Sequence, residues 1–123
     1  MALRPDATAV IFGEERLTYR ELDARANRLA HYLRTRGVGP ETRVALCLER
    51  SLDLVVAILA IVKAEAGYLP LDPSHPPERL RFMLADARVT LLLTDLENGE
   101  RVPADGLASI VHLDAEREAL ALA

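Results

Sequence analysis

The chain has no tryptophan, one cysteine and five aromatic residues among its 123. Fifteen Lys and Arg stand against nineteen Asp and Glu, a formal charge of -4. With neither a basic stripe nor an aromatic stacking platform, nucleic acid is not expected as a partner. A single cysteine cannot build a disulfide framework, which suits a reducing, cytoplasmic setting. Cys47 lies inside the apolar run RVALCLE, where a buried inert thiol is expected rather than a nucleophile. The histidines at 31, 75 and 112 share no metal-ligand spacing with it, so no metal site is expected. The longest unbroken apolar run, Leu54 to Val62, is well short of the roughly 18 to 20 residues that span a bilayer. The opening MALRPDATAV lacks the apolar stretch of a signal peptide, and the reading is a soluble chain without a membrane partner.

Phosphate-binding glycines are also missing. GVG at 37 to 39 follows a predicted helix and precedes a predicted strand, the reverse of the order that places a glycine-rich loop against a helix N-terminus. No GxSxG nucleophile motif occurs either.

What is present is a chain half hydrophobic, long enough for one domain. TAVIFGEERLTY places two apolar stretches around Gly13-Glu14-Glu15 and predicts a β-hairpin. LTYREL then reads as a helix start. Thr18 is the N-cap, Glu21 completes a capping box, and Leu17 and Leu22 are spaced for a hydrophobic staple. Leu22, Ala26, Leu29, Ala30 and Leu33 recur as one buried face, with Arg25, Arg28 and Arg34 on the wet side. Gly37 stops that helix and Pro40 prevents its continuation.

Arg43 to Glu49 is apolar on both faces, as expected for a parallel strand covered on both sides. Ser51 caps a second helix over Leu52 to Ala64, which exceeds the usual length of a strand. A short strand, GYLPLD, and a third helix follow, the helix burying Leu80, Met83, Leu84 and Ala87. VTLLLTD is another apolar strand, LENGERVPADG a polar loop, and ASIVHLD a last strand before a short helical tail. The fold class is therefore α/β: a layered, mainly parallel sheet flanked by helices and preceded by a β-hairpin.

One stretch, KAEAGYLPLDPSHPPERL from Lys63 to Leu80, gathers acids, prolines, a tyrosine and a histidine and has the look of a site. Its residues have structural explanations. Pro70 cannot donate to a sheet ladder and belongs at an edge or strand end. Pro73 favours an extended Asp72, Pro76 and Pro77 suit a helix start, and Glu78 complements the helix dipole. Asp72 has no second titrating group at a catalytic spacing, so the stretch reads as a strand-to-helix turn.

LTYREL and KAEAGYLPLDPSHPPERL, in that order, resemble the first two core motifs of the amino-acid adenylation domains of non-ribosomal peptide synthetases. These belong to the wider group of AMP-forming acyl and aryl acid ligases. The second motif usually reads close to KAGGAYVPLDPSYPxERL, and the resemblance runs almost the whole chain. It implies that residues 1–123 are the N-terminal portion of one such domain, ending before the phosphate-binding loop. It also implies ATP and Mg as requirements of the complete domain, with an amino acid as the small-molecule substrate. In that reaction the substrate carboxylate attacks the α-phosphate of ATP and pyrophosphate leaves. A phosphopantetheine thiol on a partner carrier domain then takes the acyl group.

The implied partners are the remainder of the adenylation domain and the carrier and condensation domains of a synthetase. Both motifs are scaffold, so no catalytic, cofactor-binding or metal-binding residue is assigned in this chain, which is expected to be inactive alone. Two positions depart from the family pattern. Glu65 stands where glycine is usual, a strained choice if the backbone there has positive φ, with Gly67 the nearest residue that could take over the role. His75 stands in place of a common tyrosine. The alternatives are a fragment of an acyl- or aryl-CoA ligase and a non-catalytic interaction module. In either case a cut sheet would leave unpaired edges and favour self-association.

Overall fold

The structure, a computed structural model, describes residues 7–48, 51–103, 107 and 109–113. It opens with the expected hairpin, β1 (Thr8–Phe12) against β2 (Glu15–Thr18). The pairing is antiparallel with an irregularity between Thr8 and Val10, and Gly13 turns the chain at φ +64°, a backbone that costs glycine little.

Helix α1 (Tyr19–Thr35) starts at the predicted capping box: Thr18 Oγ1 accepts from the Glu21 N–H at 3.1 Å, and the Thr18 N–H donates to Glu21 Oε1 at 3.0 Å. Its buried residues are the five expected from spacing. After it the chain reverses through Gly37 at φ +90°, where the Val38 N–H donates to the Leu33 carbonyl.

Next come β3 (Arg43–Cys47), α2 (Leu52–Lys63), β4 (Gly67–Pro70), α3 (Pro77–Asp86), β5 (Leu91–Thr94), the short α4 (Leu96–Gly99) and β6 (Ser109–His112). The four later strands form one parallel sheet in the order β4-β3-β5-β6. Helices α1 and α2 share a core with Val44, Leu46, Leu91, Leu93 and Val111. On the other face α3 packs Leu80 and Leu84 with Ala45, Cys47 and Leu92. Alternate residues of β3 and β5 thus feed opposite cores, which is why both strands read as unbroken apolar runs.

Three details differ from the expectation. Met83 and Ala87 are half-buried, because α3 turns only Leu80 and Leu84 fully into the core on its face of the sheet. The stretch predicted as a loop after β5 begins with α4, nucleated by the Asp95 side chain accepting from the Asn98 N–H at 2.7 Å. Glu65 itself carries φ +64°, and Gly67 is outside the positive-φ region. The helical tail predicted after the last strand lies outside the described residues.

Candidate functional site

In an open parallel sheet, ligands bind outside the carboxyl ends of the strands where the strand order reverses. Here that point lies between β3 and β5: from β3 the chain moves through α2 to β4 on one side, and from β5 it moves to β6 on the other. The described polar groups there bond to one another. Thr94, fully buried, donates its hydroxyl to the Cys47 carbonyl at 2.6 Å and so stitches the two strand ends together. Asp95 spends its carboxylate on α4, accepting from the Asn98 backbone N–H and, at 3.1 Å, from Asn98 Nδ2. Asn98 is buried against this cap. The side-chain bonds of Thr94, Asp95 and Asn98 escaped the sequence reading, although Asp followed three residues later by Asn was a usable capping signal.

Cys47 is fully buried at the same edge. Desolvation pushes its thiol up to about 11, with the charges of Asp95 and Asp72 adding to the rise and Arg101 opposing it. It stays protonated at neutral pH, as expected of a packing residue and not of a nucleophile.

At the end of β4, Asp72 closes a tight turn. Its Oδ1 accepts from the Ser74 N–H at 2.9 Å and from Ser74 Oγ at 2.7 Å, and its carbonyl accepts from the His75 N–H at 3.1 Å. The hydrogen bond from the Ser74 backbone is the main cause of a carboxyl pKa below the ordinary value. His75 Nε2 lies 3.9 Å from Asp72 Oδ2, while its Nδ1 is buried without a hydrogen-bond partner. Pro76 and Pro77 then open α3 as N-cap and first helical residue. The acid, serine, histidine and prolines of this stretch thus fix a turn. His75 stands apart from the other histidines: His31 is exposed on α1 and His112 ends β6.

Two open clefts of about 340 Å³ lie at the opposite, amino-terminal ends of the strands. One is lined by Glu41, Arg43, Asp86, Ala87 and Arg88; the other lies between α3 and the residues leading into β5. Both contain Arg88, which holds φ +55°. Among the described residues no group of three His, Cys, Asp or Glu side chains could hold a metal ion. Asp72 and Asp95, the carboxylates at the carboxyl edge, already satisfy their own turns. These residues do not fit a nucleotide or its magnesium.

The profile described as AMP-binding enzyme matches residues 1–122. The chain belongs to the AMP-binding enzyme family. Bacitracin synthase 1 of Bacillus licheniformis is 44% identical over 113 residues, which make up 92% of this chain and 2% of that protein. The dimodular nonribosomal peptide synthase of Bacillus subtilis (strain 168) is 47% identical over 116 residues, 94% of this chain and 5% of that one. Among solved structures, the nonribosomal peptide synthetase FmoA3 superposes with a TM-score of 0.83 at 32% identity, covering 93% of this chain and 12% of the other. The N-terminal subdomain of Klebsiella oxytoca NpsA, in complex with anthranilyl-AMSN, gives 0.80 at 27% identity, covering 90% and 28%.

The family that the two ordered motifs resemble is thus the family found, and the layered parallel fold is the one it shares. The chain spans only a few per cent of these synthetases and about a quarter of the solved N-terminal subdomain. Among the described residues, no helix is long and apolar enough to cross a membrane.

Proposed function

We propose that residues 1–123 are the scaffold portion of an amino-acid adenylation domain acting in non-ribosomal peptide synthesis, ending before its phosphate-binding loop. The observation that carries the reading is near-complete coverage of this chain at 44 to 47% identity by bacitracin synthase 1 and the dimodular synthase. The geometry supports the scaffold role: at the switch point of the sheet, Thr94 and Asp95 are engaged in holding strand ends and a helix cap.

The complete domain joins an amino-acid carboxylate to the α-phosphate of ATP, releases pyrophosphate and delivers the acyl group to a carrier-domain thiol in the cytoplasm. This portion supplies core and sheet to that machinery and no reacting group. Its partners are the remainder of the domain and the carrier and condensation domains. The test is amino-acid-dependent ATP–pyrophosphate exchange, which the 123-residue chain lacks and a polypeptide carrying the remainder of the domain shows. Exchange by the 123-residue chain alone would overturn the scaffold reading.

A second reading keeps the fold and changes the acid. NpsA, similar to this chain at 27 to 28% identity, is solved in complex with anthranilyl and 3-hydroxybenzoyl AMSN compounds, which favours an aryl acid. Exchange assays across amino acids and benzoates on the longer polypeptide separate the two.

A further inference from the structure

At the amino-terminal end of the sheet, charged side chains of both signs meet at one cleft of about 340 Å³, lined by Glu41, Arg43, Asp86, Ala87 and Arg88. The topology explains why they meet. β3 pairs with β5 so that Val44 lies beside Leu91, which puts Arg43 and the residues leading into β5 at the same end of neighbouring strands. Ala45 and Cys47 pack on the α3 face, and side chains alternate along a strand, so Arg43 emerges on that face too, where α3 ends at Asp86. Gly67 leaves room for its stem: a β-carbon there would stand 3.6 Å from Arg43 Cγ.

These charges are not engaged within the protein. Among the described residues, the side chains of Glu41, Arg43, Asp86 and Arg88 form no ion pair and no hydrogen bond, whereas Asp23, Asp72 and Asp95 all have partners. Two of them also stand at unfavourable places. Asp86 is the last residue of α3 and no base stands in that last turn, so its carboxylate faces the negative end of the helix dipole. Arg88 holds φ +55°, a left-handed backbone for which glycine is the usual residue after a helix and at which an arginine carries strain.

Two guanidiniums against two carboxylates make the lining neutral. A lone anion or a lone cation therefore gains from one pair and is repelled by the other, whereas a small molecule carrying both charges a few bonds apart satisfies both pairs. Its ammonium end also meets the carbonyl end of α3, where a cation is stabilised. Its carboxylate end meets guanidiniums, whose forked N–H groups suit it.

We propose that this cleft binds a free α-amino acid as its zwitterion, the carboxylate on Arg43 and Arg88 and the ammonium on Glu41 and Asp86. Ala87 is the one uncharged lining residue, so the cleft reads the head group and leaves the amino-acid side chain in solvent. Because the charges are open to water, affinity is modest, with a Kd in the millimolar range. The inference stands on the lining of the cleft and does not rest on the proposed adenylation role.

Amide NMR of the 123-residue chain titrated with glycine tests this, and arginine-selective isotope labelling carries the same titration to a polypeptide with the remainder of the domain. Saturable shifts are expected at Arg43, Asp86, Ala87 and Arg88 in the short chain and at both arginines in the longer one. At equal ionic strength, acetate and methylammonium, each with one charge, bind about tenfold more weakly than glycine or worse. Arg88→Gly removes a guanidinium and the backbone strain together, so it weakens glycine binding about tenfold or more while melting no lower than the parent. Asp86→Asn weakens glycine by a similar factor and leaves acetate no weaker. Shifts that never saturate, acetate matching glycine, or Arg88→Gly retaining the parent affinity would each overturn the proposal. A response in the short chain that the longer polypeptide lacks assigns the cleft to the rest of the domain and also overturns it. Pyrophosphate exchange does not enter the readout, so this proposal and the adenylation reading fail independently.

Discussion

The ammonium of Lys63 lies 2.7 Å from Asp23 Oδ1, and the carbonyl of the same lysine accepts from Arg34 Nη2 at 2.6 Å. The last turn of α2 is thereby tied to both halves of α1. Both ties are exposed and join residues far apart in sequence, linking the two helices that cover one face of the sheet. The hydrogen bond from Lys63 is the main cause of an Asp23 pKa below its ordinary value of 3.8. Because the folded pKa is the lower one, this contribution is present above about pH 4 and fades as pH falls through the folded value. With Asp23 61% exposed, a double-mutant cycle of Asp23→Ala and Lys63→Ala is expected to give a coupling of about 0.5 kcal/mol or less, reduced further by salt. A coupling unchanged in 1 M salt would contradict this account, a concentration at which screening reaches about 3 Å.

Glu65 occupies the left-handed region at φ +64°, where a β-carbon costs roughly 1–2 kcal/mol. Glu65→Gly removes that strain and adds some unfolded-chain entropy, so the net gain is about 0.5–1 kcal/mol in urea denaturation. Gly67→Ala is the matched control. A β-carbon at Gly67 meets only Arg43 Cγ at 3.6 Å, an ordinary contact, and this substitution leaves stability within about 0.5 kcal/mol. Equal effects at the two positions would refute the assignment of strain to Glu65.

The capping box at the head of α1 makes Thr18→Ala destabilising by about 1 kcal/mol. Glu21 gains its lowered pKa chiefly from the Thr18 backbone N–H, so the contribution of its side chain holds above the ordinary carboxylate range and disappears in acid. Thermal melts of Thr18→Ala and Glu21→Gln at pH 7 and pH 3 check the sign. Glu21→Gln approaches the parent more closely at pH 3 than at pH 7, while Thr18→Ala, which keeps the backbone N–H and loses the acceptor for the Glu21 N–H, stays destabilised at both.

Burial of Cys47 predicts that a thiol reagent at pH 8 labels the folded chain only at the rate of its unfolding. Labelling as fast as a free thiol would mean an accessible site. Since the folded thiol pKa is raised from 9.0 to about 11, stability is unaffected by this group below about pH 8.5 and declines as pH rises towards 11, where the unfolded thiol ionises first.

Much of this was readable because the signals are local. The capping box of Thr18 and Glu21, the stop at Gly37 and the proline-opened α3 each depend on residues within a few positions of one another. The buried runs VALC and LLLT announce covered strands whatever their neighbours are. Strand order was beyond reach: nothing in LLLTD says that β5 lies beside β3 on the side away from β4, because pairing between distant segments leaves no mark on either sequence alone. The half-burial of Met83 has the same origin, since the share of α3 that is covered depends on the width of sheet beneath it. As for the site, the sequence displayed acids and a histidine between Lys63 and Leu80, and only side-chain geometry shows Asp72 engaged by Ser74.

The most direct test of the central claim is the size of the natural polypeptide, measured by blotting the source cells with an antibody to this chain and confirming the band by mass spectrometry. A band far larger than 13.5 kDa is expected, with peptides of this chain followed by those of an adenylation domain. A band at 13.5 kDa alone would contradict it.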